Sequence, residues 1–220
     1  MESTKHKIII FGVQGSGKGT QAELLARACN FVYVSTGDAY RREVELATDL
    51  GKQVQKIIDS GSLAPDEITN KLVAKRLTSA DCHEQGFVLD GYPRNEAQQK
   101  ALADLTEIAA AVEIKISDEE AVARLSGRLA CRCGLSYHAK ARPPKKEGIC
   151  DVCDAQLYMR DDDKPEAIKE RIAIYHKQTE PLLESYREQG LLHTVNGEQE
   201  IRQVFTDIAA SLHLDCNYPD

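Results

Sequence analysis

The sequence holds 220 residues, 42% of them hydrophobic and 29% charged, with a formal net charge of −7. That composition suits a soluble globular chain of one moderate domain, or a core carrying small insertions, and it leaves no basic footprint for duplex nucleic acid. The opening stretch leads into an apolar run far too short for a signal peptide or a membrane span, so a cytoplasmic protein is expected, with neither nucleic acid nor membrane as partner.

Five short apolar runs read as strands: Lys7–Phe11, Phe31–Val34, Gly86–Asp90, Val112–Ile116 and Leu191–Val195. Helical stretches separate them, and that alternation predicts an α/β fold, a parallel five-stranded sheet flanked by helices. The first helix is expected from about Gly17 to Cys29, with Ala22, Leu25, Ala26 and Cys29 on one stripe. Ser60-Gly61-Ser62 reads as a helix stop. Pro65 reads as the start of the next helix, with Ile68, Leu72 and Leu77 facing inward. Ala167–Tyr186 carries Ile168, Ile172, Tyr175 and Leu182 at helical spacing, and Pro181 predicts a bend or break. A last helix is expected over about Glu198–Leu212. Leu129–Asp163 departs from this pattern. It has little helical period and is rich in cysteine, glycine and proline, as expected of an insertion with its own architecture.

Three loops carry the chemistry. Gly12-Val13-Gln14-Gly15-Ser16-Gly17-Lys18-Gly19-Thr20 follows the first strand and opens the first helix. A glycine-rich turn between strand and helix lets several N–H groups converge on phosphate oxygens, and the helix dipole adds positive potential. Lys18 supplies a cation for the outer phosphates, and Thr20 a hydroxyl for a phosphate or its Mg²⁺. Gly19 stands where Ser or Thr usually follows the lysine. Ser35-Thr36-Gly37-Asp38-Ala39-Tyr40-Arg41 follows the second strand and Asp90-Gly91-Tyr92-Pro93-Arg94 ends the third. Ligands of open α/β sheets bind at the carboxyl ends of strands, so all three loops should share one crevice. There Thr36 could bond a base or cap a helix, Arg41 and Arg94 could fork onto phosphate, and Asp90 could orient Mg²⁺ or its waters.

Seven cysteines are present. Cys131-x-Cys133, sixteen residues, then Cys150-x-x-Cys153 reads as a tetrahedral structural Zn²⁺ site that staples the insertion. Cys29, Cys82 and Cys216 are scattered, and the expectation for them is buried, reduced and inert thiols.

Taken together, these runs resemble the adenylate kinases, P-loop nucleoside monophosphate kinases. The resemblance rests on Gly12 to Gln21, on Ser35 to Asp38 with Arg41, and on Asp90 to Arg94 with Gln98. It extends to Gly127-Arg128, Tyr137-His138, Arg160 followed by acids, Arg171 and Val195-Asn196-Gly197. It spans about residues 7–210, and the insertion makes the chain similar to the long-form bacterial type. It implies a discontinuous core (1–34, 65–127 and 165–220), a small helical segment over the monophosphate (35–64) and a zinc-ribbon-like lid (128–164). It also implies a monomer that transfers phosphoryl between ATP and AMP to give ADP. By position, Gly15, Ser16, Gly17, Lys18, Gly19 and Thr20 would hold the ATP phosphates. Arg124, Arg128, Ser136, Tyr137 and Gln199 would complete the ATP side. Thr36, Arg41, Ser62, Leu63, Ala64, Gly91, Tyr92, Pro93, Arg94 and Gln98 would line the AMP side. Arg124, Arg160 and Arg171 would meet transferring or accepting phosphates, while Asp90 would position Mg²⁺ and Asp162 and Asp163 would help close the lid. Metal-bearing lids of this family space both cysteine pairs by two residues. Here Ala130 falls at the fourth position, so either Cys131 through an altered loop or His138 would complete the set. Gln14 replaces the family's usual proline and Tyr92 its commoner phenylalanine.

A kinase for UMP, CMP or GMP would share this pattern, although Thr36 and Gln98 favour adenine. A non-catalytic nucleotide switch or zinc-ribbon interaction protein would tolerate loss of Arg41, Arg94, Arg128, Arg160 and Arg171, yet all five are present.

Overall fold

The computed structural model describes residues 6–59, 62–140 and 142–219, without the side chains of residues 56, 58 and 59. In chain order the elements are β1 (Lys7–Phe11), α1 (Lys18–Cys29), β2 (Val32–Ser35), α2 (Thr36–Glu45), α3 (Asp49–Asp59), α4 (Asp66–Leu77) and α5 (Ala80–Gln85). Then come β3 (Phe87–Asp90), α6 (Glu96–Leu105), β4 (Ala110–Lys115), α7 (Asp118–Ser126), β5 (Arg128–Ala130) and β6 (Ser136–His138). A 3-10 turn (Asp161–Asp163), α8 (Pro165–Ile174), a π turn (Tyr175–Thr179), α9 (Leu182–Glu188), β7 (Leu192–Asn196) and α10 (Ile201–Ser211) finish the chain.

Five strands pair in parallel in the order β2-β3-β1-β4-β7. Alternation along β1 shows why both faces must be covered. Ile9 and Phe11 point into one cluster with Val34, Leu89, Val73 and Tyr186. Ile8 and Ile10 point into the opposite one with Leu25, Val112, Phe205 and Ile208. The expected strands all appear, each within two residues of its predicted start. Because every strand runs the same way, the loops after β1, β2 and β3 emerge along one edge.

The buried stripe of α4 is Thr69, Val73 and Leu77, whereas Ile68 and Leu72 are only half-buried. A threonine can occupy that stripe because its hydroxyl pairs with the buried Tyr40 hydroxyl at 2.8 Å and with the Pro65 carbonyl at 3.1 Å. The helix stop read at Ser60-Gly61 lies outside the described residues. Ahead of Pro181 the helix widens into the π turn, where the Glu180 N–H reaches back to the Tyr175 carbonyl at 2.9 Å.

One cysteine expectation is corrected. Cys82 is buried and free, but Cys29 and Cys216 form a disulfide with Cα atoms 5.5 Å apart. The last turn of α1 and the C-terminal tail pack on the same hydrophobic cluster, which brings together two cysteines 187 residues apart. No such proximity is visible in the spacing.

β5 and β6 form an antiparallel hairpin, and Ala130 also bridges Tyr158 on the returning chain. The apolar cluster here is small: Cys131, Tyr137, Cys150 and Leu157, with Leu129, Leu135, Cys153 and Ala155 against it. Among the described residues no helix is long and apolar enough to cross a membrane.

Candidate active site and metal centre

The loop after β1 has the build expected of a phosphate cradle. Gly15 has φ +89°, and a Cβ there would lie 2.9 Å from the Ala121 carbonyl oxygen, so both backbone and space require glycine. Gly17 caps α1 in the left-handed region, and the helix starts at Lys18. The glycine at position 19 also has a local reason. A Cβ there would sit 3.3 Å from Asp90 Oδ2 and press on the carboxylate. Lys18 donates to Gln14 Oε1 at 2.5 Å. Burial pulls its ammonium down to about 7, with repulsion from Arg94, Arg171 and Arg128 adding to the fall and Asp90 opposing it.

The second wall comes from the loops after β2 and β3. Ser35 caps α2 by accepting from the Asp38 N–H at 3.2 Å, and Arg41 pairs with Asp38 at 2.5 Å. Thr36 donates to the Gly91 carbonyl at 2.9 Å. Gly91, the cis Tyr92–Pro93 peptide and Arg94 then turn the chain towards α6. Arg94 is held three times. Its Nε donates to Gly91 O at 2.8 Å, its N–H to Gln98 Oε1 at 2.8 Å, and its carbonyl accepts from Thr179 Oγ1 at 2.8 Å. Burial lowers its guanidinium from the usual arginine range.

A cleft joins these parts. Thr36, Arg41, Ser62, Leu63, Ala64, Gly91, Arg94, Gln98, Asp162 and Arg171 line one side. Gly12, Gln14, Lys18, Tyr92, Pro93, Tyr175 and Thr179 line the continuation, which shares Leu63, Gly91, Arg94 and Arg171 with the first part. At its far wall Arg171 pairs with Asp162, and Arg128 grips Asp163 through Nε at 2.7 Å and through Nη2. Burial brings Arg160 and Arg171 down to about 10. Burial pushes Asp162 up, but Arg171, Arg128, Arg160 and Arg41 outweigh it and hold the carboxyl below the usual range.

Unsatisfied atoms also concentrate here. Among the described residues, four buried side-chain polar atoms lack a partner: Ser16 Oγ, Gln21 Oε1, Asp90 Oδ1 and Arg160 Nε. Ser16, Asp90 and Arg160 are all predicted site residues. A buried polar atom left unpaired costs about 1–3 kcal/mol, so these orphans point to a polar ligand that completes them. The free Asp90 oxygen beside the phosphate cradle fits a divalent cation or its water.

Other predicted residues stand further out. Arg124 bonds Glu120 at 2.7 Å and the Gly197 carbonyl at 2.9 Å, and Gln199 bonds the Asn196 carbonyl and Asp207, each at 2.9 Å. Ser136 meets Arg160 Nη2 at 3.5 Å. Tyr137 is buried in the hairpin, where its hydroxyl accepts from the Asp151 N–H at 2.9 Å and contacts Cys150 Sγ at 3.5 Å, so only its backbone remains for a nucleotide.

The four sulfurs of Cys131, Cys133, Cys150 and Cys153 lie within 4.8 Å of one another. Cys131 to Cys153 is 3.3 Å and Cys133 to Cys150 is 3.7 Å. A tetrahedral zinc with Zn–S of ~2.3 Å needs sulfurs ~3.8 Å apart, so the set fits with small adjustment. The shortened first pair therefore still delivers Cys131. His138 stands elsewhere, its ring against Gly127 and its Nδ1 accepting from the Lys140 N–H at 3.1 Å. Tyr137 and the Asp151 N–H brace the cluster from outside.

Sequence reasoning missed Thr179, Tyr33 and Asp66. Thr179 lies 85 residues from the Arg94 carbonyl it holds. Tyr33 reaches Asp90 Oδ2 at 3.4 Å from the neighbouring strand. Asp66 accepts from Gln98 Nε2 at 2.7 Å. Only the strand register could have suggested Tyr33, and nothing local marks the other two.

Comparison with known proteins agrees with this geometry. The family model for adenylate kinase matches residues 10–191. The adenylate kinase of Caldicellulosiruptor saccharolyticus is 46% identical over 215 residues, 95% of this chain and 100% of that protein. That of Methanosarcina barkeri is 44% identical over 93% of this chain and 97% of its own, and that of Listeria monocytogenes serotype 4b 43% over 92% and 96%. The parallel sheet, the glycine loop at its carboxyl edge and these full-length likenesses give one answer: this chain belongs to the adenylate kinase family, enzymes that are nucleoside monophosphate kinases.

Proposed function

We propose that this protein catalyses reversible transfer of the γ-phosphoryl group of Mg·ATP to AMP, giving two ADP, as a cytoplasmic monomer that balances adenine nucleotides. One observation carries the reading: the phosphate cradle and the second cleft are continuous and share Arg94 and Arg171. A donor phosphate and an acceptor phosphate approached from either side would meet at those two guanidinium groups.

The acceptor is itself an anionic phosphate, so alignment and charge neutralisation do the work without a strong base. Gly15 to Thr20 hold the donor's phosphates, with Lys18 on the outer ones. Arg124, Arg128, Ser136, the Tyr137 backbone and Gln199 complete the ATP side. Thr36, Arg41, Ser62 to Ala64, Gly91 to Arg94 and Gln98 receive AMP. Lys18, Arg94, Arg128, Arg160 and Arg171 neutralise charge developing on the transferred group. Mg²⁺ brought with ATP would neutralise phosphate charge, and Asp90, whose Oδ1 has no partner among the described residues, would help to hold it. Asp38, Asp162 and Asp163 pair with the arginines that phosphate would claim.

We assign 35–64 as the segment over the monophosphate and 128–164 as the lid, with one structural zinc on Cys131, Cys133, Cys150 and Cys153. Closure keeps water from the γ-phosphate. The test is ADP formation from Mg·ATP with AMP, GMP, CMP or UMP as acceptor, beside ATP alone. Turnover with AMP is the expected result. Hydrolysis without any acceptor, or transfer only to another monophosphate, would refute the assignment.

A further inference from the structure

The buried Gln98 amide on the acceptor cleft is held in one orientation by two partners that cannot exchange roles. Its Oε1 accepts from the Arg94 N–H at 2.8 Å, and its Nε2 donates to Asp66 Oδ1 at 2.7 Å. A backbone N–H can only donate and a carboxylate can only accept. Turning the amide over would set NH₂ against N–H and oxygen against carboxylate, both repulsive. Asp66 is itself fixed, since the same Oδ1 accepts from Asn95 Nδ2 at 2.9 Å. Asn95 is fixed in turn by accepting from the Gln98 N–H at 2.9 Å.

What remains of the Gln98 amide for the cleft is one lone pair on Oε1 and one proton on Nε2. Thr36 adds to this pattern. Its hydroxyl proton goes to the Gly91 carbonyl, so its oxygen is left as an acceptor. A 6-aminopurine offers an amino donor beside a ring-nitrogen acceptor, the complement of that pair. A 6-oxopurine offers an acceptor where the amino group would be and leaves buried acceptors facing each other.

We propose that Asp66 is a specificity-determining positioning residue, which locks the Gln98 amide so that the cleft takes a 6-amino and rejects a 6-oxo purine monophosphate. The inference rests on the reading of this cleft as the AMP site. AMP and inosine monophosphate differ at that edge alone, so they make the sharpest probe pair.

The experiment measures kcat/KM with AMP and with inosine monophosphate, at fixed Mg·ATP, for the wild type, Asp66→Ala and Asp66→Asn. A cleft built to bond one edge should favour AMP in the wild type by about a hundredfold or more. Losing the lock in Asp66→Ala should cut the AMP:inosine monophosphate ratio by about tenfold or more, chiefly through KM, the equivalent of one hydrogen bond. Asp66→Asn, whose Oδ1 can still accept both bonds, should keep the ratio within about threefold of wild type. Because the ratio does not depend on how much of a variant is folded, a purely structural role for Asp66 would lower both values together and leave it unmoved. An Asp66→Ala ratio within about twofold of wild type overturns the inference and leaves the AMP reading intact. A wild type that uses neither acceptor overturns both.

Discussion

In an Arg94→Lys variant the positive charge remains, but the planar fork and the Nε–H are lost. Arg94 Nε is spent on the Gly91 carbonyl, and among the described residues the two terminal amino groups make no hydrogen bond, so both would be available to a phosphate. A lysine ammonium can reach that carbonyl or a phosphate, not both with the same geometry. The stability change should be small, because the Gly91 carbonyl keeps the Thr36 hydroxyl at 2.9 Å and no acceptor is orphaned. One lost bond of about 1 kcal/mol shifts the melting midpoint of a chain this size by roughly 2–4 °C. The transfer step should suffer far more. Losing one preorganised hydrogen-bond donor to the transferring group costs about 2.7–4 kcal/mol, or about 10²–10³ in kcat. The assay is coupled ADP production at saturating Mg·ATP and AMP, beside a thermal melt of the same preparation. A kcat within about fivefold of wild type would show that charge alone suffices and that the fork is dispensable.

The Lys18 ammonium, pulled to about 7 by burial, gives a pH prediction with a definite sign. The unfolded chain holds that proton up to the ordinary lysine range, so the burial penalty is full below pH 7 and fades as pH rises towards 10. Lys18→Met should therefore stabilise the nucleotide-free protein, most below pH 7 and progressively less above it. A phosphate held by Lys18 would restore the charged form, so ATP binding at pH 8 should take up a proton in wild type and none in the variant, read by calorimetry in buffers of different ionisation enthalpy. Equal proton uptake in both would remove Lys18 from the phosphates. For the cysteine quartet, elemental analysis should find one zinc per chain. A chelator or Cys150→Ala should lower the melting midpoint while ATP still binds the core, and a melt indifferent to both, with no metal found, would refute the zinc assignment.

The strands and the three loops were legible because their signals are local. An apolar run, then glycines, then a helical stripe occupy adjacent positions from Ile8 to Leu25, and the chemistry of Gly15, Lys18 and Asp90 follows from residue type. On α4 Leu77 is buried as expected, but Thr69 and Val73 take the places expected of Ile68 and Leu72, because Thr69 looks polar until the Tyr40 hydroxyl is known to face it. The Cys29–Cys216 disulfide and the Thr179–Arg94 bond escaped for a different reason. Both join segments whose meeting depends on how the helices stack on the sheet, which no window of sequence reports. The cysteine quartet lies between. Spacing announced a site, but only the folded hairpin chose Cys131 over His138.

The bridge between Ala130 and Tyr158, with N–H to carbonyl bonds of 2.8 and 2.9 Å in both directions, makes a narrow two-stranded stem where the chain enters and leaves its cysteine-bearing insertion. A graft joined through such a stem can lengthen, shrink or change its internal staple while the strands of the main sheet keep their register, since loop closure grows only logarithmically with length. A metal held by Cys131, Cys133, Cys150 and Cys153 would thus belong to the graft and not to the phosphate loop. The same catalytic floor could carry a roof held by thiolates, by ion pairs or by a larger apolar cluster, and the temperature or redox conditions a lineage lives in could be met by exchanging the roof alone.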